Sequence, residues 1–267
     1  MSNGPRLTRR GWPSPGRLSI VIPAFNEERY IARLLRKVLA VDLNQFGLSK
    51  EIIVVDDGST DRTGSIAREM PGVAVYRLTR NAGKGTAVRA GLARTSGDLV
   101  VIQDADLEYE PEDYLPMIAE LLRSDAGAVY GSRYLPRSGA RWRAPRYPGQ
   151  GWGPYWGGRS LSVVQWCFSG TYLSDTVTAL KLFRGPVIRA IDLHATGFEL
   201  DHEITARVLA AGYEIREVPI RYHPRSRAEG KKIRARDWLT AVATYLRVGR
   251  RPTGRRLTAR NATSRSG

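Results

Sequence analysis

The chain has 267 residues, 42% hydrophobic and 25% charged, with a formal net charge of +16 and a single cysteine. That length is enough to bury a full core, Cys167 alone excludes an internal disulfide framework and suits a reducing cytoplasm, and no run of eighteen apolar residues offers a membrane span. The cations are unevenly spread: Arg221 to Arg260 holds thirteen Lys and Arg against two acids, Glu229 and Asp237, a surface attracted to nucleic acid, anionic lipid or phosphorylated substrates.

Residues 1–17 are basic but lack the apolar run of a signal peptide, and they read as a disordered arm. "LSIVIPAF" (18–25) is a buried strand, and "NEERYIARLLRKVLAV" follows with apolar residues at helical spacing and Asn26 as the expected N-cap. "EIIVVDDGS" and "DRTGSIAREM", "VAVYRLT" and "GKGTAVRAGLART", then "DLVVIQDAD" continue the alternation of strand and helix, which predicts a mainly parallel α/β sheet. "AGAVYGSRY" adds a strand. Residues 137–159, rich in Pro, Gly, Arg and aromatics, read as an irregular loop, with a helix resuming near Ser160 and Cys167 expected to be a packed thiol. A helix at "FELDHEITARVLAAG", a strand at "EIREVPIRYH" and an amphipathic helix over 234–249 precede a basic tail, 250–267, expected to be disordered. Trp238, Leu239, Val242 and Leu246 recur at helical spacing, which suits either docking on the core or lying in a membrane interface. The Trp and Tyr of the preceding loop also suit that boundary.

"QDADLEYEPED" (103–113) gathers six carboxylates directly after the apolar run "LVVI" in this strongly basic chain. In open α/β sheets ligands bind beyond the carboxyl ends of the strands, and Asn26-Glu27, Asp56-Asp57 and Asp104-Asp106 all fall there. Two carboxylates at i and i+2 of an extended stretch share a side. Asp104 and Asp106 can therefore address one Mg²⁺ or Mn²⁺, a cation that takes few protein oxygens alongside substrate phosphates. Asp57 can accept from a nucleobase or ribose, or the segment can be an Asp-Gly turn with a helix cap at Ser59 or Thr60. "RNAGKGTAVRAG" lacks phosphate-loop spacing, and Gly83 and Gly85 read as a tight turn presenting Lys84 to donor phosphates.

Taken together, "SIVIPAFNEE", "VVDDGSTDRT", "RNAGKGTAVRAG", "QDADLEYEPED" and "YGSRY" resemble family 2 inverting glycosyltransferases of the GT-A fold, in the branch that makes polyprenyl-phosphate (dolichyl-phosphate) hexoses. The resemblance spans about 18–233 and implies a single GT-A domain, a mainly parallel central sheet flanked by helices. It implies that Pro23, Phe25, Glu27, Val55 and Asp57 line the nucleotide. It further implies that Asp104, Ala105 and Asp106 hold metal and diphosphate, with Glu108 a further metal ligand, and that Arg133 contacts the donor. Arg225 and Lys231, helped by Arg227 and Lys232, are implied near the acceptor phosphate or diphosphate. Here the chain departs from the branch's Arg-x-x-Gly-x-Ser-Lys, reading Arg225-Ser-Arg-Ala-Glu-Gly-Lys231.

The implied reaction moves a hexose from GDP-mannose, UDP-glucose or a UDP-N-acetylhexosamine to a polyprenyl monophosphate at the cytoplasmic face of a membrane. The protein would attach peripherally through its basic C-terminal segment, with a separate integral membrane protein as anchor or consumer. A phosphate acceptor is already ionised, so positioning and charge stabilisation carry the catalysis, and Asp175 is read as an orienting residue. A soluble or glycan hydroxyl acceptor is the alternative, and it requires a carboxylate base from Asp175, Glu199 or Asp201. "ELDHEI" otherwise reads as an exposed first helical turn, with His194, His202 and His223 structural or on the surface. A basic nucleic-acid-binding protein is the distant alternative, disfavoured because the strand-end carboxylates would repel a nucleic-acid backbone.

Overall fold

The structure, a computed structural model, describes residues 12, 14–136, 146, 150–224 and 235–249. The tail 250–267, most of the arm, most of 137–149 and the cations Arg225, Arg227, Lys231 and Lys232 lie outside the described residues.

Four parallel strands come first: β1 (Arg17–Ala24), β2 (Ser49–Asp56), β3 (Val73–Arg77) and β4 (Leu99–Ile102), alternating with helices α1 (Ile31–Ala40), α2 (Thr63–Arg68) and α3 (Lys84–Leu92). Then follow α4 (Tyr114–Arg123), β5 (Ala128–Ser132), α5 (Trp152–Ser169), β6 (Lys181–Arg184), α6 (Gly185–Arg189), α7 (Leu200–Ala210), β7 (Ile215–Pro219) and α8 (Ala235–Gly249). One seven-stranded sheet results, ordered β3-β2-β1-β4-β6-β5-β7, with β6 antiparallel to both neighbours.

Strand β4 and the buried stretches Ile20–Ile22 of β1 and Ile52–Val55 of β2 are apolar because both sheet faces are covered. Ile20 and Ile22 pack with Leu34, Leu35, Ile118 and Leu121 on one side, whereas Val21 packs with Val88, Val100, Phe183 and Ile204 on the other, the period-2 alternation of a strand. Each such buried side chain contributes roughly 1.5–3 kcal/mol. Gly91 lets α3 lie close on the sheet, since a Cβ there would sit 2.4 Å from Val21 Cγ1. Register brings the strand ends level: Ala24 pairs with Asp56 and Val21 with Ile102, so the 25–27, 57–59 and 103–106 segments leave the sheet along one edge.

Several expectations are corrected. Asn26 does not cap α1, which starts five residues later at Ile31; Asn26 is left-handed (φ 55°) and its Oδ1 accepts the Thr60 N–H at 2.9 Å. No helix is capped at Ser59 or Thr60, because α2 begins at Thr63. Residues 152–159 are not irregular: they form the first turns of α5, where Trp152, Tyr155 and Trp156 stack edge to face despite three glycines. Cys167 is exposed, not packed. Strand β6 was hidden in "LKLFR" by its two cations, both of which the fold buries.

Candidate functional site

The loops at the carboxyl edge fasten to one another before any ligand is considered. Ser59 Oγ accepts the Asn26 N–H at 3.0 Å, Thr63 Oγ1 accepts the Glu27 N–H at 2.8 Å, and Asp56 Oδ1 accepts the Ser59 N–H at 2.8 Å. Asp57 is buried, and its two oxygens accept the N–H groups of Ala82 and Gly83 at 2.8 and 2.9 Å. Gly83 is left-handed (φ 93°), and a Cβ at Gly85 would meet the Ala195 carbonyl oxygen at 2.5 Å. Only glycine permits this turn to press against the 195–196 segment. The turn thus delivers Lys84 to a fixed place.

That place is a line of alternating charge. Lys84 Nζ spans the Asp104 carboxylate, 2.9 Å from Oδ1 and 3.0 Å from Oδ2, and lies 3.4 Å from Asp201 Oδ2. Lys181 Nζ donates to Asp201 Oδ1 at 2.8 Å and also to the Thr178 carbonyl, and sits 5.0 Å from the Tyr130 ring centroid. Burial alone would lower the Lys84 pKa, but the Asp104 and Asp201 carboxylates raise it above the usual lysine value. Burial would raise Asp201; Lys181 and Lys84 instead hold it at about 2. Lys181, walled off from water with the Asp201 carboxylate as its chief relief, is lowered. Lys181 carries no signal in the sequence, and of the two readings of "ELDHEI", candidate base or exposed helical turn, the exposed one is corrected: Asp201 is 7% exposed and His202 and Glu203 are buried. Three polar residues in a row opening a helix gave no signal of burial.

Deeper in, Asp175 and Arg133 form a buried fork. Arg133 donates through Nε and Nη2 at 2.7 Å each to the two Asp175 oxygens, and its backbone N–H reaches Oδ2 at 3.1 Å. Glu217 Oε1 and Oε2 accept from Ser174 N, Ser174 Oγ and Asp175 N at 2.7–2.9 Å, fixing the turn that carries Asp175. Burial pushes the Glu217 carboxyl up. The guanidinium lies 5.0 Å from the Tyr222 ring centroid, and Tyr222 donates its hydroxyl to Glu108 Oε2 at 2.6 Å.

The predicted site residues therefore divide. Asp104, Ala105, Asp106, Phe25, Glu27 and Asp57 lie on segments that leave the sheet along one edge, with Lys84 opening α3 beside them; Pro23 is still within β1, paired with Val55, whose side chain belongs to the core beneath α3, beside Ala87. Glu108 is turned to Tyr222, and Arg133 to Asp175. Two residues found only in the structure position this edge. Buried Gln103 links Tyr114 Oη, at 2.8 Å, to the Asp104 carbonyl, at 3.0 Å. Leu107 carries a left-handed backbone (φ 59°) directly after Asp106, a strained placement for a branched residue.

No three His, Cys, Asp or Glu side chains among the described residues converge as a complete metal shell. The oxygen-only pair Asp104 and Asp106 nevertheless suits Mg²⁺ or Mn²⁺, whose remaining positions are filled by water and substrate phosphate. An ammonium already straddles both Asp104 oxygens, so this carboxylate is placed to receive positive charge.

The family model "Glycosyl transferase family 2" matches residues 19–186. A dolichol-phosphate mannosyltransferase of Pyrococcus furiosus is 31% identical over 80% of this chain, which spans 59% of that protein's length. A dodecaprenyl-phosphate galacturonate synthase of Rhizobium johnstonii is 28% identical over 88% of this chain and 69% of its own. Among solved structures, glucosyl-3-phosphoglycerate synthase of Mycobacterium tuberculosis with Mn²⁺, UDP and glucosyl-3-phosphoglycerate superposes with a TM-score of 0.64 at 22% identity, covering 87% of this chain and 80% of that one. Mannosyl-3-phosphoglycerate synthase of Rubrobacter xylanophilus gives 0.65 at 18%, covering 88% and 72%. The fold is GT-A, as the sequence resemblance implied, and the chain belongs to glycosyl transferase family 2.

Proposed function

We propose that this chain transfers a hexose from a nucleotide-diphosphate sugar to a polyprenyl monophosphate, with inversion. The observation that carries this reading is that no candidate carboxylate is placed as a strong base. Asp175 is committed to the Arg133 fork, Asp201 is held at about 2 between two lysines, and Glu199 Oε1 accepts the Thr196 and Gly197 N–H groups at 3.2 and 3.0 Å. A hydroxyl acceptor needs a base whose pKa approaches the working pH. A phosphate monoester arrives ionised and needs only to be aimed. The names of the two relatives above, both lipid-phosphate sugar transferases, agree with this.

Donor nucleotide would lie along the edge formed by 23–27, 57 and 82–85, with its diphosphate toward Asp104. Asp104 and Asp106 would hold Mg²⁺ or Mn²⁺, with Glu108 the further candidate; bound there, the ion would supply positive charge to the departing diphosphate. Lys84 adds a second positive charge at the same place. Asp175, rigid on Glu217 and Ser132–Ser174 contacts, orients Arg133 beside Tyr109 and Tyr222, a wall that can position the sugar and acceptor. Arg225, Arg227, Lys231 and Lys232 follow β7, which pairs with β5, and are proposed to receive the acceptor phosphate.

A peripheral place on a membrane fits the same reading. Trp152, Trp156, Val163 and Trp166 of α5 share one helical face, and all are about half exposed or more, Trp156 at 63%. On α8, Ala241, Tyr245 and Val248 are buried, with Tyr245 Oη 3.1 Å from His202 Nδ1, whereas Leu239 at 66% and Leu246 at 40% face outward. Trp238 Nε1 donates to Ser160 Oγ at 2.9 Å, joining the two helices. Aromatic and aliphatic stripes beside a basic segment suit the surface of an anionic bilayer. Among the described residues no helix is long and apolar enough to cross one.

The test is transfer from radiolabelled GDP-mannose, UDP-glucose and UDP-N-acetylhexosamines into polyprenyl phosphate in vesicles, with and without Mn²⁺ or Mg²⁺. Acid-labile label in the lipid phase is expected. Label entering soluble hydroxyl acceptors but not lipid would overturn the acceptor assignment.

A further inference from the structure

The line Asp104–Lys84–Asp201–Lys181 contains more order than a donor-binding lysine requires. Lys84 has its backbone fixed by the Gly83–Gly85 turn, which Asp57 grips from one side and the 195–196 segment backs from the other. Its ammonium has two anionic seats, Asp104 at 2.9 Å and Asp201 at 3.4 Å. Lys181 is fully buried and holds the far oxygen of Asp201, so the second seat is rigid and stays anionic. A four-carbon side chain on a fixed backbone, facing two carboxylates, can shift its charge between them without any movement of the fold. A divalent cation on Asp104 and an ammonium across both Asp104 oxygens repel each other strongly in a low-dielectric cleft.

We propose that Lys84 is a resident counter-cation: it neutralises Asp104 while the donor site is empty, and yields that carboxylate when donor diphosphate and metal arrive together. It then turns toward Asp201 and the diphosphate, with Asp201 as pivot and Lys181 as the fixed support of that pivot. This rests on the reading of Asp104 and Asp106 as the metal pair. Metal binding thereby becomes conditional on the nucleotide: the empty protein resists the ion, and the diphosphate supplies the negative charge that lets Lys84 leave Asp104.

The experiment is Mn²⁺ binding to the full chain, followed by electron paramagnetic resonance of free Mn²⁺, without nucleotide and with saturating UDP or GDP. Wild type is expected to bind Mn²⁺ weakly alone and at least tenfold more tightly with the preferred nucleotide. Lys84→Met should bind Mn²⁺ alone about tenfold more tightly than wild type and bind the nucleotide more weakly, a pair of opposite changes that mere loosening of the site cannot produce. Asp201→Asn removes the second seat, and should weaken Mn²⁺ binding in the empty protein below wild type. Thermal melts confirm that each variant is folded. If Lys84→Met binds Mn²⁺ alone no better than wild type while wild type binds it with nucleotide, the counter-cation role is wrong and the metal pair survives. If wild type binds no Mn²⁺ even with both nucleotides, and Asp104→Asn changes nothing, the metal pair fails and takes this proposal with it.

Discussion

The two halves of the sheet handle charge in opposite ways. From β1 to β4 the buried strand centres are apolar and acids gather at or just past the carboxyl ends, Asp56 and Asp57 buried there and Asp104 and Asp106 partly accessible. From β5 to β7 charge is drawn into the core: Lys181 and Arg184 lie within β6, and Asp175, Asp201 and Glu217 are enclosed around them. Arg184 donates to the Ala126, Leu121 and Ser124 carbonyls at 2.8–3.0 Å, and burial lowers its pKa to about 10. The first half presents groups that a ligand can engage. The second half builds the wall that fixes them, and its charges are satisfied internally because burying an unpaired one costs several kcal/mol.

The difference breaks most sharply at the edge itself. Asp104→Asn or Asp106→Ala should lower transfer by roughly 10²–10³-fold or more, the scale of lost transition-state charge stabilisation, while the melting temperature stays close to wild type. Initial rates with labelled donor and a melt on the same preparation check both halves of that statement. Near-normal rates for Asp106→Ala would remove the metal assignment.

In the second half the order should reverse, with stability lost first. Arg133→Met leaves Asp175 buried without its fork, an uncompensated charge worth about 3–5 kcal/mol. The double variant Arg133→Met, Asp175→Leu removes both charges and should recover most of that stability in urea unfolding, yet transfer should stay impaired. Recovery of transfer along with stability would mean that the pair only supports the fold.

How far the sequence could be read follows the same division. Apolar strands ending in acids are a local pattern, so the parallel sheet and the gathering of Asp57 and Asp104 at its carboxyl edge were legible from the chain itself, whereas Lys84 was reached only through the Gly83–Gly85 turn that presents it. Strand β6 was not, because its cations are satisfied by Leu121, Ser124, Ala126 and Asp201, partners far away in the chain, and a four-residue strand with two charges carries no local signature. The start of α5 was masked by glycines and a proline whose low helical propensity is overridden by aromatic stacking among Tyr134, Trp152, Tyr155 and Trp156. Asp201 and His202 read as solvent-facing because burial of a polar helix start depends on what packs over it, here α8 over His202 and Lys84 and Lys181 against Asp201.

That α8 contact sets a smaller, pH-dependent effect. Burial lowers His202 from 6.5 to about 4 in the folded protein. Between those values the unfolded chain binds the proton and the folded chain does not, so stability falls as pH drops from about 6.5 to 4 and levels off below. The full loss is about 3 kcal/mol, at about 1.4 kcal/mol for each tenfold difference in proton affinity between the two states. His202→Phe should flatten this part of the unfolding profile, and an unchanged profile would place the titration elsewhere.

The smallest expected effect on the fold lies at the outward stripes of α5 and α8, and it separates the periphery from both halves. Trp156 and Leu239 are each more than 60% exposed, so Trp156→Ser with Leu239→Ser should lower stability by only about 1 kcal/mol, chiefly the lost edge contact of Trp156 with Tyr155. Transfer to a short, water-soluble polyprenyl phosphate should be unaffected, since neither side chain belongs to the edge proposed to hold donor and metal. Sedimentation with anionic vesicles should nevertheless fall several-fold, because each residue would withdraw apolar area from the interface. Vesicle binding equal to wild type would shift the membrane contact away from these helices to the basic segment after β7, whose electrostatic attraction alone is abolished by salt.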